Sequence, residues 1–558
     1  MLPLNLEQIY ELFTINRLLG FLLIGLINAI VMSLVSYKFF QIVQQCGYKG
    51  DEYLKWLFNK DNASVTRLTM LCLLSILGFL LTNMALSVID NPLIPYTGFL
   101  VSLVFMLIYL NGERKRKSKI PLVLTRRMIR LFITFTLLVI LLSLILIIGV
   151  NLIAIPLKNA LIFNFRYAVL CICPLLVPYL VLLAYYINEP YERASNKKYL
   201  RKCKQKLLER PDLIKIGVTG SYGKTSVKEI LHAILSQKYS VLSTPNSFNT
   251  PLGISKTVKR LENSHEVFIA EMGARHIGDI KELTRLVEPN IAVITGVTNQ
   301  HVETFKLLEN IVRTKYEIIE NMNGGKAVFN ADNKISVDMF KKCKLEKTLA
   351  GVEKSKFSSV YATDIIVSEN GTKFTLHVGE TEIETSTCLI GKHNVSNICL
   401  AVAVAKYLGL TDSEIALGIS KIKPIKHRLE LIKSDNGVTV IDDSYNANVE
   451  GIKSALSVLS NFNGKKIIVT PGLVELGILE GEENYKLGAL MAKVVDVAVL
   501  VGRARALRIR EGLLSQGFSE NQIIMVKSLN EAKEELKKLF CRNGRVCIHL
   551  GLQDPHIT

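Results

Sequence analysis

Leu213-Ile214-Lys215-Ile216-Gly217-Val218-Thr219-Gly220-Ser221-Tyr222-Gly223-Lys224-Thr225-Ser226 is the stretch that decides the fold of this 558-residue chain. Its first six residues, largely β-branched and apolar, predict a buried strand, and Val227 to Leu235 continues with helical spacing. Strand, glycine turn, Lys-Thr and helix is the order of elements that cradles phosphates. Glycines let backbone N–H groups approach an anion, and the helix N-terminus adds its partial positive charge. Lys224 supplies a cation and Thr225 a hydroxyl that can ligate Mg²⁺. Gly220, Ser221, Tyr222, Gly223, Lys224, Thr225 and Ser226 are therefore expected to bind a nucleotide. The spacing is G-x-x-G-K-T, shorter than the general G-x-x-x-x-G-K-[ST]. A chance glycine turn ahead of a helix is the plain alternative.

Working outward, short β-branched runs alternate with amphipathic helical stretches after residue 210, the pattern of a parallel α/β sheet. The first 190 residues read differently. They hold most of the apolar excess behind a hydrophobic share of 49% and a mean hydropathy of +0.29. A membrane helix needs about 20 mostly apolar residues, and five stretches qualify: roughly 18–37, 68–89, 95–110, 129–154 and 167–187. The third is the shortest. Residues 1–16 and the turn Asp90–Pro95 contain no Lys or Arg. The connections Lys38–Arg67 and Arg114–Arg127, and the segment after the fifth span, are basic. The positive-inside rule then predicts an external N-terminus and cytosolic catalytic domains in a multi-pass protein of the plasma membrane. Gln44 to Trp56, amphipathic and holding the single Trp, reads as an interfacial helix. No cleavable signal precedes the first span, so the chain is expected to stay uncleaved.

A net charge of +19 invites a nucleic-acid reading. Yet the surplus sits beside apolar segments, as in Arg114-Lys115-Arg116-Lys117 and Lys197 to Lys206, where anionic lipid headgroups are the natural partner. A lipid bilayer is expected as partner, and nucleic acid is not. Ten scattered cysteines lack disulfide or zinc spacing and suit a reducing compartment. Runs of intramembrane charge that would mark an ion pathway are missing, which disfavours a transporter.

Four ordered stretches carry a resemblance to a known family. They are Gly223-Lys224-Thr225-Ser226-Val227-Lys228-Glu229, Glu271-Met272-Gly273-Ala274-Arg275-His276, Gly391-Lys392-His393-Asn394-Val395-Ser396-Asn397 and Asp442-Asp443-Ser444-Tyr445-Asn446-Ala447-Asn448. Over roughly 213–545 the chain resembles the Mur ligases, and within them the branch that adds D-alanyl-D-alanine to a muramoyl tripeptide. The resemblance implies ATP and Mg²⁺, a phosphoryl transfer from ATP to a carboxylate, and attack of an amine on the acyl phosphate. It implies a central phosphate-loop ATPase domain at 209–424 and a Rossmann-like C-terminal α/β domain at 425–558, while the apolar spans make 1–208 a membrane helical domain.

By the same resemblance Lys224, His301 and Lys315 are catalytic, and Thr225, Glu271, His301 and Lys315 surround the metal. Lys315 matches a lysine that many Mur ligases carry as a carbamate. Glu271 also follows the apolar run Val267–Ala270, which would set it at the carboxyl edge of a strand, where ligands gather. A surface glutamate, a structural histidine and a solvated lysine are the plain readings of these residues. His393, Asn394, Asn397, Arg428, Asp442 and Asp443 resemble the nucleotide contacts, and Asn249, Thr250, Tyr445, Asn446 and Asn448 the substrate contacts.

Three departures stand out. The membrane half occupies the place of the family's UDP-binding domain, so the acceptor is expected to be a cell-wall precursor that is lipid-linked or UDP-linked. The family's Gly-Asp-Met-Xaa-Glu-Leu-Gly reads Pro471-Gly472-Leu473-Val474-Glu475-Leu476-Gly477, without the Asp, and the C-terminal Lys-Gly-Ser-Arg pattern is missing. The expected function is a membrane-anchored ATP-dependent amide ligase. A ligase of the polyglutamate-forming sort is the alternative in the same reaction class, and an ATP-binding membrane scaffold without turnover is the alternative outside it. Oligomeric state is not legible.

Overall fold

The computed structural model describes residues 13–59, 62–86, 94–114, 121–157, 167–433, 438–444, 448–540 and 546–550. It divides into two compact units, Met1–Asn196 and Lys197–Ile557.

The first unit is helical: α1 (Ile15–Gln45), α2 (Gly50–Leu57), α3 (Ala63–Leu86), α4 (Ile94–Arg114), α5 (Arg126–Leu157) and the start of α6 (Cys173–Leu208). Among the described residues four helices are long and apolar enough to cross a membrane: α1, α3, α5 and α6. Five had been expected from hydropathy. The third stretch falls on α4, within which Leu103–Glu113 counts as a shorter apolar helix among the described residues. On α5, Ile129, Ile133, Leu137, Leu141 and Ile145 form an exposed apolar stripe at helical spacing, while Met128, Leu131, Phe135 and Val139 are buried on the other side. The buried face also pairs its polar atoms: Asn28 Nδ2 donates to Ser143 Oγ at 2.9 Å, and Ser33 meets Thr136 at 3.3 Å. Near the helix ends Arg130 and Arg127 converge on the buried Glu192, and Arg67 lies 3.1 Å from Glu113. The amphipathic stretch around Trp56 forms α2.

The second unit contains two sheets. Strands β1 (Ile214–Thr219), β2 (Val241–Ser243), β3 (Val267–Glu271), β4 (Ile291–Ile294), β5 (Lys326–Asn330), β6 (Glu346–Ala350), β7 (Ser358–Ser368), β8 (Gly371–Val378) and β9 (Thr381–Thr387) form one sheet in the order 2-3-1-4-5-6-7-8-9. The strands from β2 to β7 are parallel, and β7, β8 and β9 continue as an antiparallel meander. In β3 alternate residues serve opposite layers. Phe268 and Ala270 join one core, and Val267 and Ile269 join the other, which includes α7 (Lys224–Leu235). Helix α8 (Leu308–Glu320) covers the first face, and α9 (Lys392–Tyr407), buried from Asn394 to Ala405, covers the second.

Strand β1 lies between β3 and β4, so the chain leaves it in one direction and later returns on its other side. Such a reversal opens a crevice at the carboxyl ends of the strands. The glycine loop occupies it.

The second sheet has the order β10-β11-β15-β12-β13-β14, built from Glu430–Lys433, Val438–Asp442, Lys465–Thr470, Val497–Val501, Ile523–Val526 and Val546–Leu550 as β10 to β15 in chain order. Only β10 runs antiparallel. Helix α10 (Val449–Ser460) follows β11.

Candidate active site

The loop between β1 and α7 is held by close backbone approach. A Cβ on Gly220 would lie 2.1 Å from Thr295 Oγ1, so only glycine fits beside β4. Gly223 has φ +76° and caps α7, with the helix starting at Lys224. The loop after β4 completes the wall: Ser221 N donates to Gly296 O at 2.7 Å, Ser221 Oγ donates to Thr298 O at 3.0 Å, and Thr295 Oγ1 donates to Tyr222 O. Asn333 Nδ2 donates to the Tyr222 hydroxyl at 3.3 Å, and burial pushes that phenol up to about 12.

Lys224 folds back over the loop, donating to Gly220 O at 2.7 Å and Ser221 O at 3.2 Å. Desolvation pulls its ammonium down to about 8, against the pull of Glu271. Thr225 Oγ1 donates to Glu271 Oε2 at 3.0 Å, and Asn249 Nδ2 donates to Glu271 Oε1 at 3.1 Å. Glu271 is 1% exposed, an unusual place for a carboxylate unless it is paired.

Its cationic neighbour is Lys228, a fully buried side chain. Lys228 Nζ donates to Asn246 O at 2.5 Å and lies 3.1 Å from Glu229 Oε1 and 3.7 Å from Glu271 Oε2. Lys228 stood inside a quoted motif without a role. Its burial depends on the packing of α7, which periodicity does not resolve for a lysine.

Lys315 on α8 is buried, and its ammonium has no hydrogen bond or ion pair among the described residues. Desolvation first, and the Lys224 charge second, hold it well below the ordinary lysine range. Its neighbour Glu317 is engaged elsewhere, accepting from Gly278 N and Lys281 N at 2.9 Å each.

His301 follows β4 with φ +54° and pairs through Nδ1 with Glu475, from the loop after β12. Arg275 lies 3.8 Å from the other Glu475 oxygen, and Glu303 N donates to Glu475 O at 3.3 Å. The loop that departs from the family pattern is thus the one that clasps His301. Sequence reading noted that loop and missed the contact, because 174 residues separate the partners.

A cleft of about 410 Å³ lies between the two sheets of this unit. It brings together Tyr222 and Gly223 of the loop, Ser226 of α7, His393, Asn394 and Asn397 of α9, and Arg428, Asp443 and Asn448 of the second sheet's side. Burial lowers His393 to about 4, which keeps it neutral near pH 7. Burial raises Asp443 to about 7 although Arg428 and the Leu429 N–H pull it down. Asp332, Glu353, Lys453 and Asn461 also line the cleft and carried no sequence signal.

Other expected residues serve local structure. Thr250 caps the helix Pro251–Val258, accepting from Gly253 N at 3.3 Å, and Asn448 caps α10, accepting from Gly451 N at 2.9 Å. Asp442 pairs with His427 Nδ1 at 2.8 Å, outside the cleft lining. Tyr445 and Asn446 lie outside the described residues.

Fold and site together define an α/β protein of two sheets, with a glycine loop at a topological switch point and a cleft closed from the second sheet. Residues 218–405 match the Mur ligase middle domain and residues 427–551 the Mur ligase glutamate ligase domain, so the chain belongs to the Mur ligase family. The UDP-N-acetylmuramoyl-tripeptide–D-alanyl-D-alanine ligase of Buchnera aphidicola is 34% identical over 263 residues, 47% of this chain and 57% of that protein. The ligase of the same name from Bacillus subtilis is 33% identical over 312 residues, 55% of this chain and 66% of its own length. The chain therefore spans under two thirds of these relatives. Among solved structures, MurF from Acinetobacter baumannii superposes with a TM-score of 0.59 at 27% identity, over 65% of this chain and 78% of that one.

Proposed function

We propose that the chain is a membrane-anchored, ATP-dependent ligase that joins D-alanyl-D-alanine, or a similar amine, to a muramoyl-tripeptide cell-wall precursor. The cleft in which the glycine loop faces Arg428, Asp443 and Asn448 carries this reading. The names of the relatives supply the substrate class.

The loop N–H groups and Lys224 bind the phosphates of ATP, with His393, Asn394 and Asn397 on the nucleoside side. Thr225 and Glu271 converge as hard oxygen donors 3.0 Å apart, a set that fits Mg²⁺. When bound, the metal neutralises phosphate charge and polarises the transferred group. The acceptor carboxylate attacks the γ-phosphorus, the bond to ADP breaks, and an acyl phosphate forms. The amine then attacks the acyl carbon, inorganic phosphate leaves, and the surplus proton passes to solvent. Closure around the cleft excludes water while the acyl phosphate survives. Burial first, and the Lys224 charge second, hold the Lys315 amine well below the ordinary lysine range, which favours the free amine that adds CO₂, with loss of a proton, to form a carbamate. Labelled bicarbonate would place a carbamate carbon signal in the wild type and none in K315R.

The exposed stripe on α5 and the four long apolar helices support a membrane anchor. With α4 as a fifth crossing, the basic connections and the catalytic unit share the cytosolic side.

The test uses detergent-purified protein with ATP, Mg²⁺ and D-alanyl-D-alanine, comparing UDP-linked and lipid-linked muramoyl-tripeptide by phosphate release and product mass. Product from the lipid-linked acceptor alone makes the membrane half a substrate domain, and product from the UDP-linked acceptor makes it a tether. No product from either overturns the substrate assignment.

A further inference from the structure

A second cavity, about 920 Å³, lies along α7 and is lined by residues from Thr225 in the helix's first turn to Gln237 just beyond its end. The twelve residues of α7 span about 18 Å at roughly 1.5 Å each. Among the described residues this groove shares only Arg428 with the nucleotide cleft, and it reaches the proposed metal end of the loop at Thr225. Its outer wall is the linker Lys421-Ile422-Lys423-Pro424-Ile425-Lys426-His427-Arg428, which carries three lysines and an arginine. The acid in the lining, Glu229, is already engaged by Lys228 at 3.1 Å. Two further features equip the groove for a ligand. Among the described residues His232 Nδ1 is buried in its wall with no hydrogen-bond partner, and Phe248 is 38% exposed. An orphaned buried nitrogen costs free energy that a ligand hydroxyl or phosphate can restore, and an exposed aromatic face suits a sugar or a base.

We propose that this groove binds the diphosphate-bearing arm of the acceptor, with Lys421 and Lys423 on the phosphates, Lys426 beside the arm nearer the loop, and the acceptor carboxylate directed toward Thr225. The assignment rests on the ligase reading above. A tripeptide reaches about 10 Å when extended, so along the roughly 18 Å of α7 about 8 Å remain for the sugar before the diphosphate reaches the Gln237 end, where Lys421 Nζ donates to Gln237 Oε1 at 2.9 Å. Diphosphate is common to nucleotide-linked and prenyl-linked precursors, and the chemistry of the groove serves either.

The experiment compares wild type with the triple variant K421Q/K423Q/K426Q. Three muramoyl-tripeptide acceptors are used: UDP-linked, prenyl-diphosphate-linked and lacking diphosphate. The three lysines are exposed, and KM for ATP is the reference for intact folding. The expected result is a KM for the diphosphate-bearing acceptor raised about tenfold or more, with the wild-type advantage over the diphosphate-free acceptor lost and its salt dependence flattened. Whichever of the two diphosphate acceptors shows the effect identifies the source. KM values within about twofold of wild type for both would overturn the assignment. Should wild type ligate none of the three, the ligase reading fails separately. Inorganic pyrophosphate titrated into protein saturated with a non-hydrolysable ATP analogue and Mg²⁺ then decides the groove alone. Weaker binding by the triple variant supports the site, and equal binding overturns it.

Discussion

Lys228→Met keeps a flexible, linear side chain in a fully buried position and removes its charge. The lost contacts are the bond to Asn246 O at 2.5 Å and the ion pairs with Glu229 at 3.1 Å and Glu271 at 3.7 Å. Breaking one side of a buried pair costs about 3–5 kcal/mol, mostly because the partner charge is stranded. Glu271 keeps its bonds from Thr225 and Asn249, which places the loss near the lower end, about 3 kcal/mol. Methionine packing returns roughly 1 kcal/mol at most. Urea unfolding of the detergent-solubilised protein, followed by a probe in the second unit, measures it. The double variant K228M/E271Q removes the stranded charge as well, so a double-mutant cycle should give a coupling of about 1.5 kcal/mol or more. In activity, the Mg²⁺ concentration for half-maximal rate should rise, since Lys228 fixes both Glu271 and the Asn246 loop. A stability loss below about 1 kcal/mol, or strict additivity in the cycle, would refute the view that Lys228 and Glu271 act as one buried unit.

Three further outcomes follow from the site. Lys224 sits at about 8 against an ordinary 10.5, so the unfolded chain holds more protons between those values and stability rises with pH across that window. ATP phosphates restore the charge, so nucleotide binding near pH 8 should take up about half a proton, seen as a binding heat that varies with buffer ionisation enthalpy; a buffer-independent heat would count against it. Asp443, raised from 3.8 to about 7, makes the folded state hold its proton longer than the unfolded chain. Stability should therefore fall as pH rises from about 4 to about 7, and Asp443→Asn should remove that part of the slope. Glu475→Gln weakens the clasp on His301 and Arg275, with an expected drop in kcat of about tenfold and faster amide exchange at Glu303, the residue bonded to Glu475 O.

The sequence by itself determined the local chemistry and the change from long apolar spans to α/β alternation. The Gly220–Lys224 turn needs close backbone approach and a helix start, and both are written in consecutive residues. The apolar spans and the α/β alternation likewise depend on periodicity within about 20 residues. Hydropathy marks five stretches where four helices qualify among the described residues, the difference resting on α4.

What tertiary structure decided is which distant groups meet. His301 and Glu475, or Lys228 and Asn246, are joined by packing, and no spacing rule links them. Asn448 was legible as a site residue, but its cap on α10 and its place in the cleft come from the fold. The same holds for charge. Lys315, Lys224 and Asp443 read as ordinary ions in the sequence, and it is desolvation, a property of the surrounding structure, that moves them toward neutrality.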